Sequence, residues 1–455
     1  MKIFTHQMAI DVDDPFKNDV LKREFFAHRL KNIIINTNDS LVISINADWG
    51  EGKTTFLKMF LSFIDKNQKN SIYFDAFSND FNDNPFVSII AQINSLIENK
   101  DKFDVKKNKL HDLNKNACKI GSKMMPLVSK MALKIIFLNL INKEDLNDFQ
   151  AVISDSGGDI AERIAENAIL EYNKNLEEIT HFKKELEFLA HDIRISNGCP
   201  LVFVVDELDR CRPNYALSMI EVIKHFFTVK NVVFILAINK RQIESSIKAI
   251  YGSDIDSKTY LQKFINLECS LPKKINGVKN DYYIYCTYLY ELHEFEKNDK
   301  LLQIITYMPG LSNYFNLSLR DIEKCFCYIA LFYISTNIDD IYFVDLVCLL
   351  SVLKLKKPEL FDLFKNKKVW SDDFNKHIGT EATNGPVYLF GEKDITLEFF
   401  DIFNILVNYS NPETREKRQT SDMFQYKKNY LPQDSDFSDI IPSICCVMEN
   451  FEFNY

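Results

Sequence analysis

Residues 41–55 read LVISINADWGEGKTT, and this stretch decides the fold. It begins with an apolar run typical of a buried strand, passes through a short loop that carries two glycines, and ends just after Lys53 and Thr54. Apolar residues then recur at helical spacing. They are Phe56, Leu57, Phe60, Leu61 and Ile64. A strand, a glycine-bearing loop and a helix in this order predict a phosphate-binding loop, although Ala47 stands where the strict pattern has glycine.

The chemistry of this loop suggests a role for each of its parts. Gly50 and Gly52 let the backbone turn so that successive N–H groups point at an anion, and the following helix adds the positive end of its dipole. Lys53 supplies a mobile charge for the β- and γ-phosphates, and the Thr54 hydroxyl is a ligand for Mg²⁺. The alternative is an ordinary glycine-rich turn. We predict that the nucleotide contacts the loop residues Ala47, Asp48, Trp49, Gly50, Glu51, Gly52, Lys53, Thr54 and Thr55.

A second chemical stretch lies at residues 198–211, which read GCPLVFVVDELDRC. Its uninterrupted apolar run is what a central parallel strand requires, because such a strand is covered on both faces. The run ends in Asp206 and Glu207, and side chains at the carboxyl end of a parallel strand face the ligand crevice. We expect Asp206 to hold Mg²⁺ and Glu207 to orient or deprotonate the attacking water. The alternative is an acidic turn after a core strand.

A third apolar strand is predicted at residues 231–238, and Asn239 follows it. At this strand tip the amide can reach the γ-phosphate or the lytic water, or it can cap the helix that starts at Lys240. Further strands are predicted at 71–77 and just before Pro272, with a helix at 85–97. Strands that alternate with helices predict a parallel α/β sheet.

The remaining pattern is helical and divides the chain into three parts. Residues 1–40 form a helical lead-in, with a helix expected over 20–35. Residues 41–272 form the sheet domain, in which 98–195 is a helical insertion. Residues 273–455 form an α-helical domain rich in Tyr and Phe, and its tail from 411 onward is expected to be exposed and partly mobile.

One helix of this last domain carries a candidate site residue. Ser318 has the position of a helix N-cap, and Asp321 falls in the first turn. Arg320 lies between them and would reach toward the phosphates, or it would pair with a surface carboxylate instead. We therefore count Arg320 among the candidate catalytic residues, with Lys53, Glu207 and Asn239.

Composition limits the class of protein. The 455 residues carry a net charge of −9, which gives no overall electrostatic signature of nucleic-acid binding. The apolar stretch at 124–141 contains Lys130 and Lys134 near its middle, and their cost in a bilayer argues against a membrane span. The 10 cysteines lack zinc-site spacing, and no secretory signal opens the chain. We expect reduced thiols and a cytoplasmic location.

Taken together, the motifs resemble those of the KAP family of P-loop NTPases. The family's Trp-Gly-x-Gly-Lys-Ser/Thr loop is matched at residues 49–54, and its acidic Leu-Asp-Arg-Cys string at 206–211. A Tyr-Leu-x-Lys-hydrophobic segment at 260–265 and the later helix with Arg320 also match. The resemblance covers about residues 15–325. It implies a P-loop sheet in which an extra strand lies next to the second acidic strand, as in AAA+ and STAND relatives.

The resemblance also implies hydrolysis of ATP with Mg²⁺, and bacterial relatives suggest a setting in antiviral defence. The family's common Asp at the third strand tip is Asn239 here. Relatives of this kind place an Arg in a neighbouring subunit's site, for which Arg210, Arg212 and Arg241 are candidates. We therefore expect protein partners and consider a homo-oligomer. The alternatives are a slowly hydrolysing nucleotide switch and, less favoured, a small-molecule kinase.

Overall fold

The computed structural model describes residues 1–4, 10–65, 70–98, 159–272, 281–336, 344–366, 437–449 and 451. The apolar stretch at 124–141, most of the predicted insertion and the segment 411–436 lie outside these residues. Within the described part, no helix combines the length and the apolar character that crossing a bilayer requires.

A single sheet of parallel strands organises the first part of the chain. The strands are β1 (Leu41–Asn46), β2 (Ser71–Asp75), β3 (Leu201–Asp206), β4 (Val232–Ile238) and β5 (Leu267–Ser270). Their order is β2-β3-β4-β1-β5, and every neighbouring pair is parallel. All residues of β3 and β4 are buried, as expected for central strands covered on both faces. The predicted α/β fold is confirmed, and the additional strand β4 separates β1 from β3.

Helices cover both faces of this sheet. They are α1 (Glu24–Asn36), α2 (Lys53–Ile64), α3 (Pro85–Glu98), α4 (Asp159–Asn197), α5 (Pro213–Phe226), α6 (Lys240–Tyr251) and α7 (Ser257–Gln262). On one face, Phe74, Phe203 and Phe234 pack with α3, α4 and α5. On the other face, Ile43, Ile45 and their neighbours pack with α1 and α2. The strands direct alternate side chains into these two cores. Because all five strands are parallel, their carboxyl ends meet along one edge of the sheet.

One helix differs from the sequence prediction. The first helix begins at Glu24 rather than near residue 20, and two of its apolar residues, Phe25 and Ile33, are exposed. Packing against the sheet and α2 instead buries Ala27, Leu30 and Ile34, a face that propensity alone does not select. The predicted helical insertion ends in α4, one continuous helix, whose C-terminal half contributes Phe182, Leu186 and Ile193 to the sheet core.

A third core belongs to the C-terminal helices. They are α8 (Asp281–Leu292), α9 (Ile304–Tyr314), α10 (Leu319–Ser335), α11 (Val344–Lys356), α12 (Pro358–Lys365) and α13 (Phe437–Glu449). The prediction of an exposed tail is wrong for α13, because Ile441, Ile444, Cys445 and Met448 are buried against the other helices. Their i, i+3, i+4, i+7 spacing is that of an amphipathic helix.

Candidate functional site

The loop between β1 and α2 has the conformation that its glycines permit. Gly50 has φ +81° and Gly52 has φ +75°, values that carry a steric penalty for residues with a Cβ atom. Gly52 is also the N-cap of α2, so the first free N–H groups of this helix point into the loop. The backbone therefore offers the anion-binding concavity that the sequence predicted.

Lys53 lies inside this loop. Its side chain is buried, and Nζ donates to the carbonyl oxygens of Ala47 at 2.6 Å and Asp48 at 3.3 Å. Burial lowers the pKa of Lys53, and the charges of Asp209 and Asp206 oppose that shift. The ammonium group is thus held by its own loop, at the position where it can exchange carbonyl partners for phosphate oxygens.

The two chemical stretches meet at Thr54 and Asp206. The Thr54 hydroxyl donates to Asp206 Oδ2 at 2.7 Å across 152 residues of sequence. The Tyr73 hydroxyl donates to the same oxygen at 2.9 Å, and the backbone N–H of Glu207 donates to Oδ1 at 2.8 Å. Hydroxyl and carboxylate oxygens are the donors that Mg²⁺ prefers. A buried carboxylate next to a threonine hydroxyl therefore fits this metal.

Glu207 follows at the tip of β3 in an unusual backbone conformation. Its φ of +57° is rare for a residue other than glycine, and such strain is common at functional sites. The carboxylate pairs with Arg210 at 3.3 Å. Burial raises the pKa of Glu207, Arg210 lowers it, and Asp75 and Asp206 raise it. The group is a carboxylate held close to the crevice but tied to a neighbouring cation.

Asn239 at the tip of β4 caps the next helix. Its Oδ1 accepts a hydrogen bond from the Arg241 N–H at 3.1 Å, and its Nδ2 donates to Asp48 Oδ1 at 3.3 Å. The side chain is therefore an N-cap of α6 and at the same time contacts the phosphate-binding loop. Any role with the γ-phosphate stays a prediction.

The C-terminal helices reach the loop through the N-terminus of α10. Ser318 and Asp321 form a complete capping box there, as the sequence predicted for the start of this helix. The Arg320 N–H donates to the Gly50 carbonyl at 3.1 Å. A Cβ atom on Gly50 would lie 2.7 Å from Ser318 Oγ and 2.9 Å from Arg320 Cβ. Glycine is thus required at this position for close approach as well as for its φ angle.

A cavity of about 330 Å³ lies where the two parts meet. Its lining comprises Asp48, Trp49, Gly50, Glu51, Asn316, Ser318, Arg320, Asp321 and Lys356. Lys356 pairs with Asp321 at 2.6 Å. The Arg320 side chain is half-buried at this junction, so the structure places it beside the loop rather than on a remote surface.

The three arginines considered for a neighbouring subunit differ in their surroundings. Arg210 pairs with Glu207 of its own chain, and Arg212 pairs with Asp83 at 2.8 Å. Arg241 is exposed and makes no ion pair with any described residue.

Several residues of the site were missed from sequence. Asp209 accepts a hydrogen bond from the Trp49 indole at 2.5 Å, and buried Arg23 donates to the Glu51 carbonyl at 3.0 Å. Tyr73 is the third. Asp209 carried a signal, since it lies in the acidic string after β3, whereas Arg23 and Tyr73 stand in sequence contexts with no such mark. Of the predicted loop residues, Thr55 is exposed on α2.

Comparison with known proteins identifies one family and distant structures. A model of the KAP family P-loop domain matches residues 23–335. Among curated proteins, no significant match is found. The ORC2 protein of Aeropyrum pernix in its ADPNP-ADP complexes is 13% identical, with a TM-score of 0.33 and 94% of each chain covered. Its ADP form is 10% identical, also at a TM-score of 0.33, with 98% of this chain and 96% of the other covered.

Proposed function

The chain belongs to the KAP family of P-loop NTPases, and we propose on this basis that it binds ATP with Mg²⁺ and hydrolyses it. Membership of this family supports nucleotide binding. We further propose that the nucleotide cycle moves the C-terminal helices relative to the sheet. The observation that carries this proposal is the 2.7 Å contact between Thr54 and Asp206 beside the buried Lys53.

Binding of the triphosphate is assigned to the loop. Its N–H groups and the start of α2 face the phosphates, and Lys53 exchanges the Ala47 and Asp48 carbonyls for β- and γ-phosphate oxygens. Thr54 and Asp206 would hold the Mg²⁺. When bound, this ion neutralises charge that develops on the phosphate oxygens.

Hydrolysis is assigned to the tips of β3 and β4. Glu207 accepts a proton from the attacking water, which its carboxylate can do once it separates from Arg210. Asn239 already contacts the loop through Asp48 and positions the water or the γ-phosphate. Arg320 supplies a positive charge from the C-terminal helices.

Coupling to the C-terminal helices is supported by the contact between Gly50 and Arg320. The same peptide group that curves around the phosphates presents its carbonyl to the N-terminus of α10. Since no gap separates Gly50 from Ser318 and Arg320, a shift of the loop on nucleotide binding is transmitted to α10.

The second candidate function is a nucleotide-gated switch with slow turnover. Two contacts favour it: Lys53 is held by its own loop, and Glu207 is held by Arg210. Both restraints predict a low basal rate until a protein partner releases them. Three proposals stay predictions: a homo-oligomer that uses the exposed Arg241, a cytoplasmic location and a role in defence. The described site offers no observation that supports a kinase reaction.

The deciding experiment measures nucleotide binding and turnover with ATP and GTP. We expect Lys53→Ala to weaken ATP binding by roughly 10- to 100-fold, because it removes a hydrogen bond between charged groups. Glu207→Gln should bind ATP normally and lose turnover. Lys230→Ala is the matched control, since Lys230 is exposed in the turn before β4, at the opposite edge of the sheet.

Three results separate the proposals. Turnover that Glu207→Gln abolishes supports the ATPase. Tight binding by wild type without turnover supports the switch. ATP binding that is equal in wild type and Lys53→Ala contradicts both.

A further inference from the structure

Trp49 and Asp209 form a direct link between the phosphate-binding loop and the segment after β3. The indole N–H donates to Asp209 Oδ2 at 2.5 Å. The Trp49 ring is half-exposed, whereas Asp209 is only 8% exposed. The bond joins a donor that cannot accept to an ionised acceptor that cannot donate, which is the stronger class of hydrogen bond.

The Asp209 carboxylate is held in place by its surroundings. It belongs to a 3₁₀ turn at Leu208–Arg210, and Leu208 is fully buried in the sheet core. Among the charged groups around Lys53, Asp209 has the largest influence on the pKa of the lysine, which it raises against the effect of burial. Asp209 therefore lies on a well-packed turn beside the loop, and its negative charge acts on Lys53 of the loop.

The loop is attached to this segment at two points. Thr54 contacts Asp206 at one end of the glycine-bearing arc, and Trp49 contacts Asp209 before its first glycine. Between these points the chain contains Gly50 and Gly52, the residues with the greatest backbone freedom. The arc is also held by Arg23 at the Glu51 carbonyl and by the Arg320 N–H at the Gly50 carbonyl. Without the second attachment, the bond that joins the first half of the arc to the segment after β3 would be lost.

From this arrangement we propose that Asp209 is a positioning residue that acts through Trp49. It holds the loop in the shape that receives phosphate groups before the nucleotide arrives. The proposal rests on the function proposed above and adds a residue that stabilises the shape of the phosphate-binding loop. Its physical basis is preorganisation, since a loop that is already ordered loses less conformational entropy when it binds.

This role predicts a specific kinetic pattern. Trp49→Phe keeps an aromatic ring, though a smaller one, and removes the N–H; Asp209→Ala removes the acceptor. Each should raise the Kd for ATP roughly tenfold, the loss expected for one hydrogen bond to a charged group at a partly exposed site. The loss should fall on KM more than on kcat, because Glu207 and Asp206 keep their contacts.

The test uses the full chain and a fluorescent ATP analogue in place of ATP, with KM and kcat measured in parallel. The double variant Trp49→Phe/Asp209→Ala should bind no more weakly than either single variant, because all three lack the same bond. Asp209→Asn keeps an oxygen acceptor but removes the charge, so it should lose less affinity than Asp209→Ala and more than wild type. Thermal unfolding of each variant checks the fold, and if Asp209→Ala does not fold, Trp49→Phe and Asp209→Asn still decide.

Two outcomes would overturn the assignment. One is an unchanged Kd in Trp49→Phe, and the other is a loss in the double variant equal to the sum of the single losses. Lys53→Ala separates these outcomes from failure of the proposed function. If wild type binds the analogue and Lys53→Ala does not, the nucleotide site stands whatever the Trp49 variants do.

Discussion

Replacement of Gly50 by alanine tests the contact between the phosphate-binding loop and the C-terminal helices. The new Cβ would lie 2.7 Å from Ser318 Oγ and 2.9 Å from Arg320 Cβ. Ser318 can rotate its hydroxyl away, but Arg320 Cβ is fixed to the backbone of α10. The helix must therefore move, and the hydrogen bond from the Arg320 N–H to the Gly50 carbonyl is lost.

The magnitude has two parts. A non-glycine residue at φ +81° costs about 1–2 kcal/mol, and overpacking against a well-packed neighbour costs about 1–3 kcal/mol more. Gly198→Ala is the matched control. Gly198 has φ +72°, and a Cβ atom there would meet nothing within 4 Å. The effect of alanine on the unfolded chain is the same in both variants.

The assay is urea denaturation of the two variants and wild type. Gly50→Ala should lower the free energy of unfolding by about 1–3 kcal/mol more than Gly198→Ala does. If the two variants lose the same free energy, α10 does not pack against Gly50, and the proposed coupling route is wrong.

Two further predictions concern Glu207 and the start of α10. Arg210→Ala removes the cation that lowers the Glu207 pKa, so the acid limb of kcat against pH should move to higher pH; Arg212→Ala, which pairs with Asp83 instead, should leave the limb in place. A limb that stays put or moves to lower pH in Arg210→Ala contradicts the assignment of Glu207 as the base. Ser318→Ala removes the hydroxyl that accepts a hydrogen bond from the Asp321 N–H at 3.2 Å. It should lower the free energy of unfolding, measured by urea denaturation, by about 1 kcal/mol. Ser318→Thr should lose much less, and equal losses would mean that the cap adds nothing.

Local sequence patterns predicted the parts of the site that depend on residues close together in the sequence. The apolar runs of β1, β3 and β4 each end at the sheet edge where Lys53, Asp206 and Asn239 lie, because parallel strands bring their carboxyl ends together. The Asp206–Thr54 contact follows from that geometry once the strands are found.

Contacts that depend on packing between distant elements were not predictable in this way. The buried face of α1 is chosen by α2 and the sheet, so Ile34 is buried in place of Ile33. The bond between Trp49 and Asp209 depends on the relative position of two loops, and the spacing of residues along the chain does not determine that position. The helix at 437–449 did carry the apolar spacing of an amphipathic helix, but the polar residues before it led us to predict an exposed tail through to the end of the chain.

The long helix α4 has a mechanical consequence. It contains 39 residues and is therefore roughly 58 Å long. Its C-terminal end is pinned, since Arg194 donates to the Ile35 carbonyl at 2.8 Å and to the Asn231 side chain at 3.1 Å, while Leu170 nearer its start is exposed.

Such a helix acts as a lever with its fulcrum beside the sheet. A tilt of about 10° about Phe182, which packs in the sheet core, would sweep the N-terminal end of α4, roughly 35 Å away, through about 6 Å. Motions of the strands that are too small to alter their own packing would thus be amplified toward the N-terminal end of α4. A spin label at Leu170, measured against one on α5 with and without ATP, would register this sweep, and an unchanged distance would rule it out.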